Sequence, residues 1–326
     1  MKRIKRKYIV IGFVILVVVI SSIIGINYLI KTMNYHKTYE YKFMKIGYSK
    51  DDLKTLDNLK NESKDYILNL KYNKDIIYII NEKYFIEDNL KKYIEYKNEN
   101  GYPIIDIIAL VNTNAYKDWY TDVKDTDISK GNLMLTNKFN KLNSDYNKDN
   151  MVNVSKLYCY GDDQMLTSEA YEAFKEMFNE AKKENLTLII YSSFRNYEDQ
   201  EKIYNYYKDT KGEEDADKIA AKPGHSEHQT GLSVDIQTYG SSQKTFEEFD
   251  EFKWLQENAY KYGFILRYPK DKEYITGYEY ESWHYRYVGN EVAKYIHEND
   301  ITFDEYYAYF IERGLWKRKK ERKKED

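Results

Sequence analysis

Apolar positions fall into distinct regimes along the chain. Residues 8–30 are apolar almost throughout, with polar interruptions only at Ser21, Ser22, Asn27 and the tyrosines Tyr8 and Tyr28. At about 1.5 Å per residue, a helix of that length crosses a hydrocarbon core of about 30 Å. The preceding residues 1–7 read MKRIKRK, and this basic flank predicts a cytoplasmic N-terminus with everything after Lys31 outside. We expect a cytoplasmic tail at 1–7 and an uncleaved single-span anchor at 8–30. A cleaved signal peptide is the competing reading, but its apolar core is usually shorter and no A-x-A-like site follows.

From 31 to 128 the spacing becomes helical. Leu53, Leu56 and Leu59, then Tyr66, Ile67 and Leu70, recur at helical intervals, and Ser49 stands as an N-cap before Asp51 and Asp52. Further short helices are expected at 76–80 and around Leu90, Tyr93 and Ile94, before a break at Gly101, Tyr102 and Pro103. Residues 104–111 fit either a buried strand or a short helix. The region reads as a helical stalk or small domain: a spacer from the membrane, or a site for a polymer or partner. His36 has no metal-spaced companion and reads as a surface residue.

A third regime, 129–316, mixes both periods. Residues 132–138 suggest a strand after a turn at Gly131. Residues 168–184 predict an amphipathic helix with Ala170, Phe174, Met177, Phe178 and Ala181 on one face. Residues 186–191 suggest a strand that delivers Ser192 to Arg195, with Tyr197 and Gln200 opening the next helix. An arginine at that junction can meet an anion or serve as an ordinary salt-bridging residue. In 232–236, Ser233 and Asp235 alternate with Leu232, Val234 and Ile236. In 283–288, His284, Arg286 and Val288 alternate with Trp283, Tyr285 and Tyr287. A last helix is expected at 303–315. The charge run at 317–326, KRKKERKKED, reads as a solvated tail or a contact for anionic surfaces.

Composition narrows the options. The 326 residues are 32% charged and 42% hydrophobic with a net charge of −3, which suits a globular body and gives no case for a nucleic-acid partner. The one cysteine, Cys159, cannot form an internal disulfide and excludes a Cys-rich metal site. Any metal must therefore be held by His, Asp or Glu. Nothing in the pattern specifies an oligomeric state.

Candidate chemistry concentrates in two stretches, 223–236 (PGHSEHQTGLSVDI) and 281–289 (ESWHYRYVG). His228 and Asp235 are seven positions apart, which suits a turn at Gln229, Thr230 and Gly231 followed by a strand. Glu281 lies three before His284 and is a candidate general base. Spacing alone leaves open a metal site and a structural polar cluster. His225 is a ligand by type or a supporting residue, and His297 is peripheral.

The set S-x-x-R (Ser192 to Arg195), P-G-x-S-x-H-x-x-G-x-x-x-D (Pro223 to Asp235) and E-x-W-H-x-R-Y-V-G (Glu281 to Gly289) resembles the VanY-type zinc D-alanyl-D-alanine carboxypeptidases, and also the LdcB-type L,D-carboxypeptidases. Trp254 with Leu255, and the stretch 262–269, fit the same family, and the likeness runs from about Gly131 to Gly289. Ser282 departs from it, since the family usually has Pro before Trp-His. The resemblance implies His228, Asp235 and His284 as ligands of one zinc ion and Glu281 as general base and acid. It implies Arg195 as partner of the substrate's C-terminal carboxylate or carbonyl oxygen. Ser226 and Gln200 would be further substrate contacts. The implied fold is α+β, a small central antiparallel sheet with flanking helices, of Hedgehog- or D,D-peptidase-like type. The implied zinc peptidase domain is 129–316, and its substrate is the peptidoglycan stem peptide, trimmed of a terminal D-alanine. An L,D bond in a tetrapeptide stem, or a non-catalytic wall-binding module of the same fold, are the alternatives.

Overall fold

The computed structural model describes residues 2–146 and 150–315, so the charge run at 317–326 lies outside the described residues. The chain divides into two compact units, Met1–Ile108 and Ala109–Asp326.

The first unit opens with one long helix, Lys2–His36. Its segment Ile11–His36 is long and apolar enough to cross a membrane, and its most apolar window is nowhere buried in the protein. Short helices follow at Tyr39–Ile46, Lys50–Leu56, Asn61–Leu68, Asp75–Asn81 and Leu90–Glu99. Phe43, Leu56, Ile67, Ile76 and Tyr93 are fully buried and make the core of this unit. Ser49 caps its helix as expected and does so reciprocally: its hydroxyl accepts from the Asp52 amide, while Asp52 accepts from the Ser49 amide. Residues 104–111 resolve as helix, Ile104–Thr113. His36 is exposed and stacks on Tyr41 at 4.1 Å.

The second unit is built on a four-stranded antiparallel sheet. Its strands are β1 (Ile189–Ser192), β2 (Ser233–Gln237), β3 (Phe264–Leu266) and β4 (His284–Tyr287), in the spatial order β1-β2-β4-β3. The helix Ser168–Lys183 turns Ala170, Phe174, Met177, Phe178 and Ala181 inward, as its periodicity predicts. Phe174, Met177 and Phe178 join Val234 and Ile236 of β2, Phe264 of β3 and Tyr285 of β4 in one core. Alternation along β2 and β4 therefore sends Asp235 and His284 away from that core.

Two expectations need correction. Residues 132–138 are not a strand. A 3-10 segment, Ile128–Leu133, kinks at Gly131 (φ 59°) and leads into irregular backbone. The carbonyls of Asn132 and Met134 accept from the Arg286 guanidinium at 3.0 and 2.8 Å, and the Leu135 carbonyl accepts from the Thr126 hydroxyl at 3.0 Å. These side chains take the place of a ladder partner. The helix expected at 303–315 is interrupted as well: Phe303–Tyr306 is α-helical, Tyr307–Ile311 widens to a π-helix, and Gly314 turns with φ 67°.

Candidate active site

The site is assembled from three chain segments around the β1-β2-β4 edge of the sheet. The first is a 3-10 turn, Glu227–Thr230, capped by Ser226, whose hydroxyl accepts from the His228 amide at 3.3 Å. The turn ends at Gly231, whose left-handed φ of 66° suits glycine and lets the chain swing directly into β2. The second is the β2-β4 pair, in which Asp235 stands opposite His284. The third is the segment that follows β1, which carries Ser193 and Arg195.

Two ties fix the rings. The Ser193 carbonyl accepts from His228 Nδ1 at 2.6 Å, so Nε2 faces inward, 3.4 Å from Asp235 Oδ1. His284 Nδ1 lies 3.0 Å from the same Asp235 oxygen. One donor atom from each of His228, Asp235 and His284 falls within 4.8 Å of the others, and all three residues are buried. A carboxylate and two imidazole nitrogens converging in this way form a donor set suited to a divalent ion such as zinc. Glu281 comes alongside, its Oε2 3.7 Å from His284 Nδ1.

Electrostatics mark the cluster. Burial pushes the Glu281 carboxyl up to about 7, with Asp235 adding to the rise and His284 opposing it. Burial lowers the His228 imidazole against the pull of Asp235. Burial would also lower His284, but the hydrogen bond to Asp235 and the nearby Glu227 carboxylate outweigh it and raise the imidazole to about 9. Burial would raise the Asp235 carboxyl, but the two histidines hold it well below the usual carboxylate range. Such opposed shifts in one cleft are characteristic of functional sites.

These residues line a cleft of about 430 Å3, which also includes Arg195, Gln200, Ser226, Tyr206, Tyr207 and Trp283. The Arg195 guanidinium is held in place: Nη1 donates to Gln200 Oε1 at 2.7 Å and Nη2 to the Ser192 hydroxyl at 3.0 Å. The Gln200 amide nitrogen donates to the Ala221 carbonyl at 2.7 Å, so both ends of that amide are engaged. His225 lies outside the cluster; its Nδ1 is 2.7 Å from the Asn137 carbonyl and its ring meets Tyr120 edge-on at 5.0 Å. His297 is exposed and stacks on Tyr260 at 4.0 Å.

Four buried charges beside the site are absent from the candidates read from sequence. Glu227 pairs with Arg267 at 2.9 Å and Arg286 at 3.0 Å, and Arg267 pairs with Asp304 at 2.6 Å. The available signals were an ionisable residue inside the apolar run 264–268 and an acid directly before His228.

Comparison with known proteins decides the family. The profile of VanY, D-alanyl-D-alanine carboxypeptidase, matches residues 163–290, which carry every residue of the cluster. A solved LdcB L,D-carboxypeptidase, described as revealing the basis of peptidoglycan recognition, is 39% identical with a TM-score of 0.54, covering 58% of this chain and 91% of that one. The chain belongs to the VanY carboxypeptidase family. Among curated VanY relatives, a D-alanyl-D-alanine carboxypeptidase of Enterococcus faecium is 36% identical over 58% of this chain and 62% of its own length. YodJ of Bacillus subtilis (strain 168), which carries a provisional carboxypeptidase name, is 43% identical over 54% of this chain and 66% of its own length. The chain thus spans somewhat under two thirds of these curated relatives, and residues 1–162 and 291–326 lie outside the VanY profile.

Proposed function

We propose that the chain is a membrane-anchored zinc carboxypeptidase that removes the C-terminal D-alanine from peptidoglycan stem peptides. The observation that carries this reading is the convergence of His228, Asp235 and His284 within 4.8 Å, in a cleft that Glu281 and Arg195 also line. His228 Nε2, Asp235 and His284 Nδ1 would hold the ion. A zinc ion held there would polarise a scissile carbonyl and lower the pKa of water towards neutrality.

The remaining work falls to the protein's own side chains. Glu281, half-buried with a raised carboxyl, takes the proton from the attacking water and returns it to the leaving amine. Arg195 presents its guanidinium to the substrate's C-terminal carboxylate, which favours chain ends over internal bonds. Ser226 lines the same wall, and Gln200 holds Arg195 in position. The helix Lys2–His36 would anchor the enzyme as a single span with its N-terminus inside, leaving the cleft on the side where wall precursors lie.

The test is mass spectrometry of stem peptides incubated with the protein, with and without chelator. Loss of one D-alanine from a pentapeptide ending in D-Ala-D-Ala, abolished by chelator, is the expected result. Glu281→Ala should lower the rate by roughly 10²- to 10⁴-fold, and an unchanged rate would remove Glu281 from the mechanism. A second reading, L,D-carboxypeptidase action on tetrapeptide stems, is favoured by the likeness to LdcB. Trimming of only the tetrapeptide would establish it in place of the first.

A further inference from the structure

Glu227 immediately precedes His228 but is not one of the converging donors. It is 1% exposed. An unpaired carboxylate that deep would be strongly destabilising, so its partners show what it is for. Its Oε1 faces Arg267 Nε at 2.9 Å and Arg286 Nη1 at 3.0 Å. Arg267 continues to Asp304 Oδ2 at 2.6 Å, so two guanidinium groups balance two carboxylates.

The other oxygen, Oε2, points elsewhere. It accepts from the Ser233 hydroxyl at 3.4 Å and lies 3.9 Å from His284 Nε2. That nitrogen is buried and has no hydrogen-bond partner among the described residues. An imidazole offering its lone pair at Nδ1 carries its proton on Nε2. The group this proton faces is the braced carboxylate of Glu227.

We propose that Glu227 is a positioning residue: its carboxylate, braced by Arg267 and Arg286, fixes the ring orientation and Nε2–H tautomer of His284 and so presents Nδ1 to the metal. The inference rests on the zinc reading of the cleft. Carboxylates behind ligating histidines raise ligand basicity and fix the tautomer, and losing one typically weakens metal binding by about 10- to 100-fold. A purely structural role would be to neutralise the arginines. Asp304, which bonds Arg267 and Asn137, shares this for Arg267, while Glu227 is the carboxylate paired with Arg286, so an unfolding measurement is needed to separate the two roles.

The test uses the full-length protein in detergent micelles. Zinc affinity is measured by competition with a chromophoric chelator, and thermal unfolding of the metal-stripped protein is followed in parallel. Glu227→Gln, which keeps the shape and removes the charge, should weaken zinc binding by about 10- to 100-fold. Asp304→Asn opens the same network at its far end. It should lower the unfolding temperature of the stripped protein and leave zinc affinity within about twofold. Zinc binding by Glu227→Gln as tight as wild type overturns the proposal. So does an equal loss of affinity in Asp304→Asn, which would mean that network stability alone is at work. Should Glu227→Gln fail to fold, nitrogen NMR of the histidine-labelled, zinc-loaded wild type decides. Ligation of His284 through Nδ1 with a proton on Nε2 supports the proposal, and ligation through Nε2 overturns it. A wild-type protein that takes up no zinc sinks the metal reading itself, and this inference with it.

Discussion

The amide of Gln200 shows how far a residue's role depends on its neighbours. With one end on Arg195 and the other on the Ala221 carbonyl, it holds the guanidinium in place. Replacing it by Met keeps the volume and removes the clamp. A hydrogen bond to a charged group is worth about 1.5–3 kcal/mol, so Gln200→Met should raise KM for a stem peptide about tenfold or more. Because the bond acts on binding, kcat should change much less, and steady-state kinetics separate the two. Gly231 makes a second prediction. Its φ of 66° is left-handed, and a Cβ there would run into the Met151 side chain. Gly231→Ala should cost about 1–2 kcal/mol of stability, read from thermal unfolding. Residues of this kind differed in how readable they were. Asp235 and His284 are legible as polar groups in strand-spaced apolar runs, and His228 and Glu281 as the polar residues seven and three positions before them. Glu227 and Asp304 are not, because their shared partner Arg267 lies 40 and 37 positions away and nothing local marks the pairing.

At the scale of elements, periodicity was legible where packing obeyed it. The helix Ser168–Lys183 and the strands β2 and β4 each turn one regular apolar face into the core, so an apolar repeat is enough to place them. Residues 132–138 defeated the same method because side chains from Arg286 and Thr126 satisfy their carbonyls, a long-range arrangement with no local period. The short helix Lys50–Leu56 allows a prediction about pH. Burial pushes the Asp52 carboxyl up, but bonds from Lys74 and from the Ser49 amide and hydroxyl outweigh it and hold it below its ordinary value of 3.8. A carboxylate lowered in the folded state stabilises fully at pH values above its unfolded pKa. That contribution is lost as the pH falls through the folded one. Asp52→Ala removes the Lys74 pair and the carboxylate half of the capping box, while Ser49 still accepts from the residue-52 amide. Amide hydrogen exchange in this helix should therefore quicken at neutral pH, and the difference from wild type should shrink as acid protonates Asp52. A difference that persisted undiminished in acid would locate the effect in packing and not in charge.

At the scale of the whole molecule, the anchor and the cleft are separable claims. The most apolar window of Ile11–His36 is nowhere buried by protein, so in water it would expose a continuous apolar surface. At about 25 cal/mol per Å2, transfer of that surface into lipid far outweighs any attraction of the basic residues before it to headgroups. The full chain should sediment with membranes, resist extraction by high salt and come away only in detergent. Release by salt alone would show that the helix does not span. The residues lining the cleft, by contrast, run from Arg195 to His284, all in the second unit. Deleting residues 1–36 should therefore move the protein to the soluble fraction and leave turnover of a soluble stem peptide within about twofold. Mass spectrometry of the full-length protein from membranes tests the competing signal-peptide reading in the same preparation. An intact N-terminus fits the anchor, and a mature chain beginning after the apolar stretch removes it. Loss of activity on deletion, with zinc still bound, would mean that the first unit contributes to catalysis beyond holding the enzyme at the membrane.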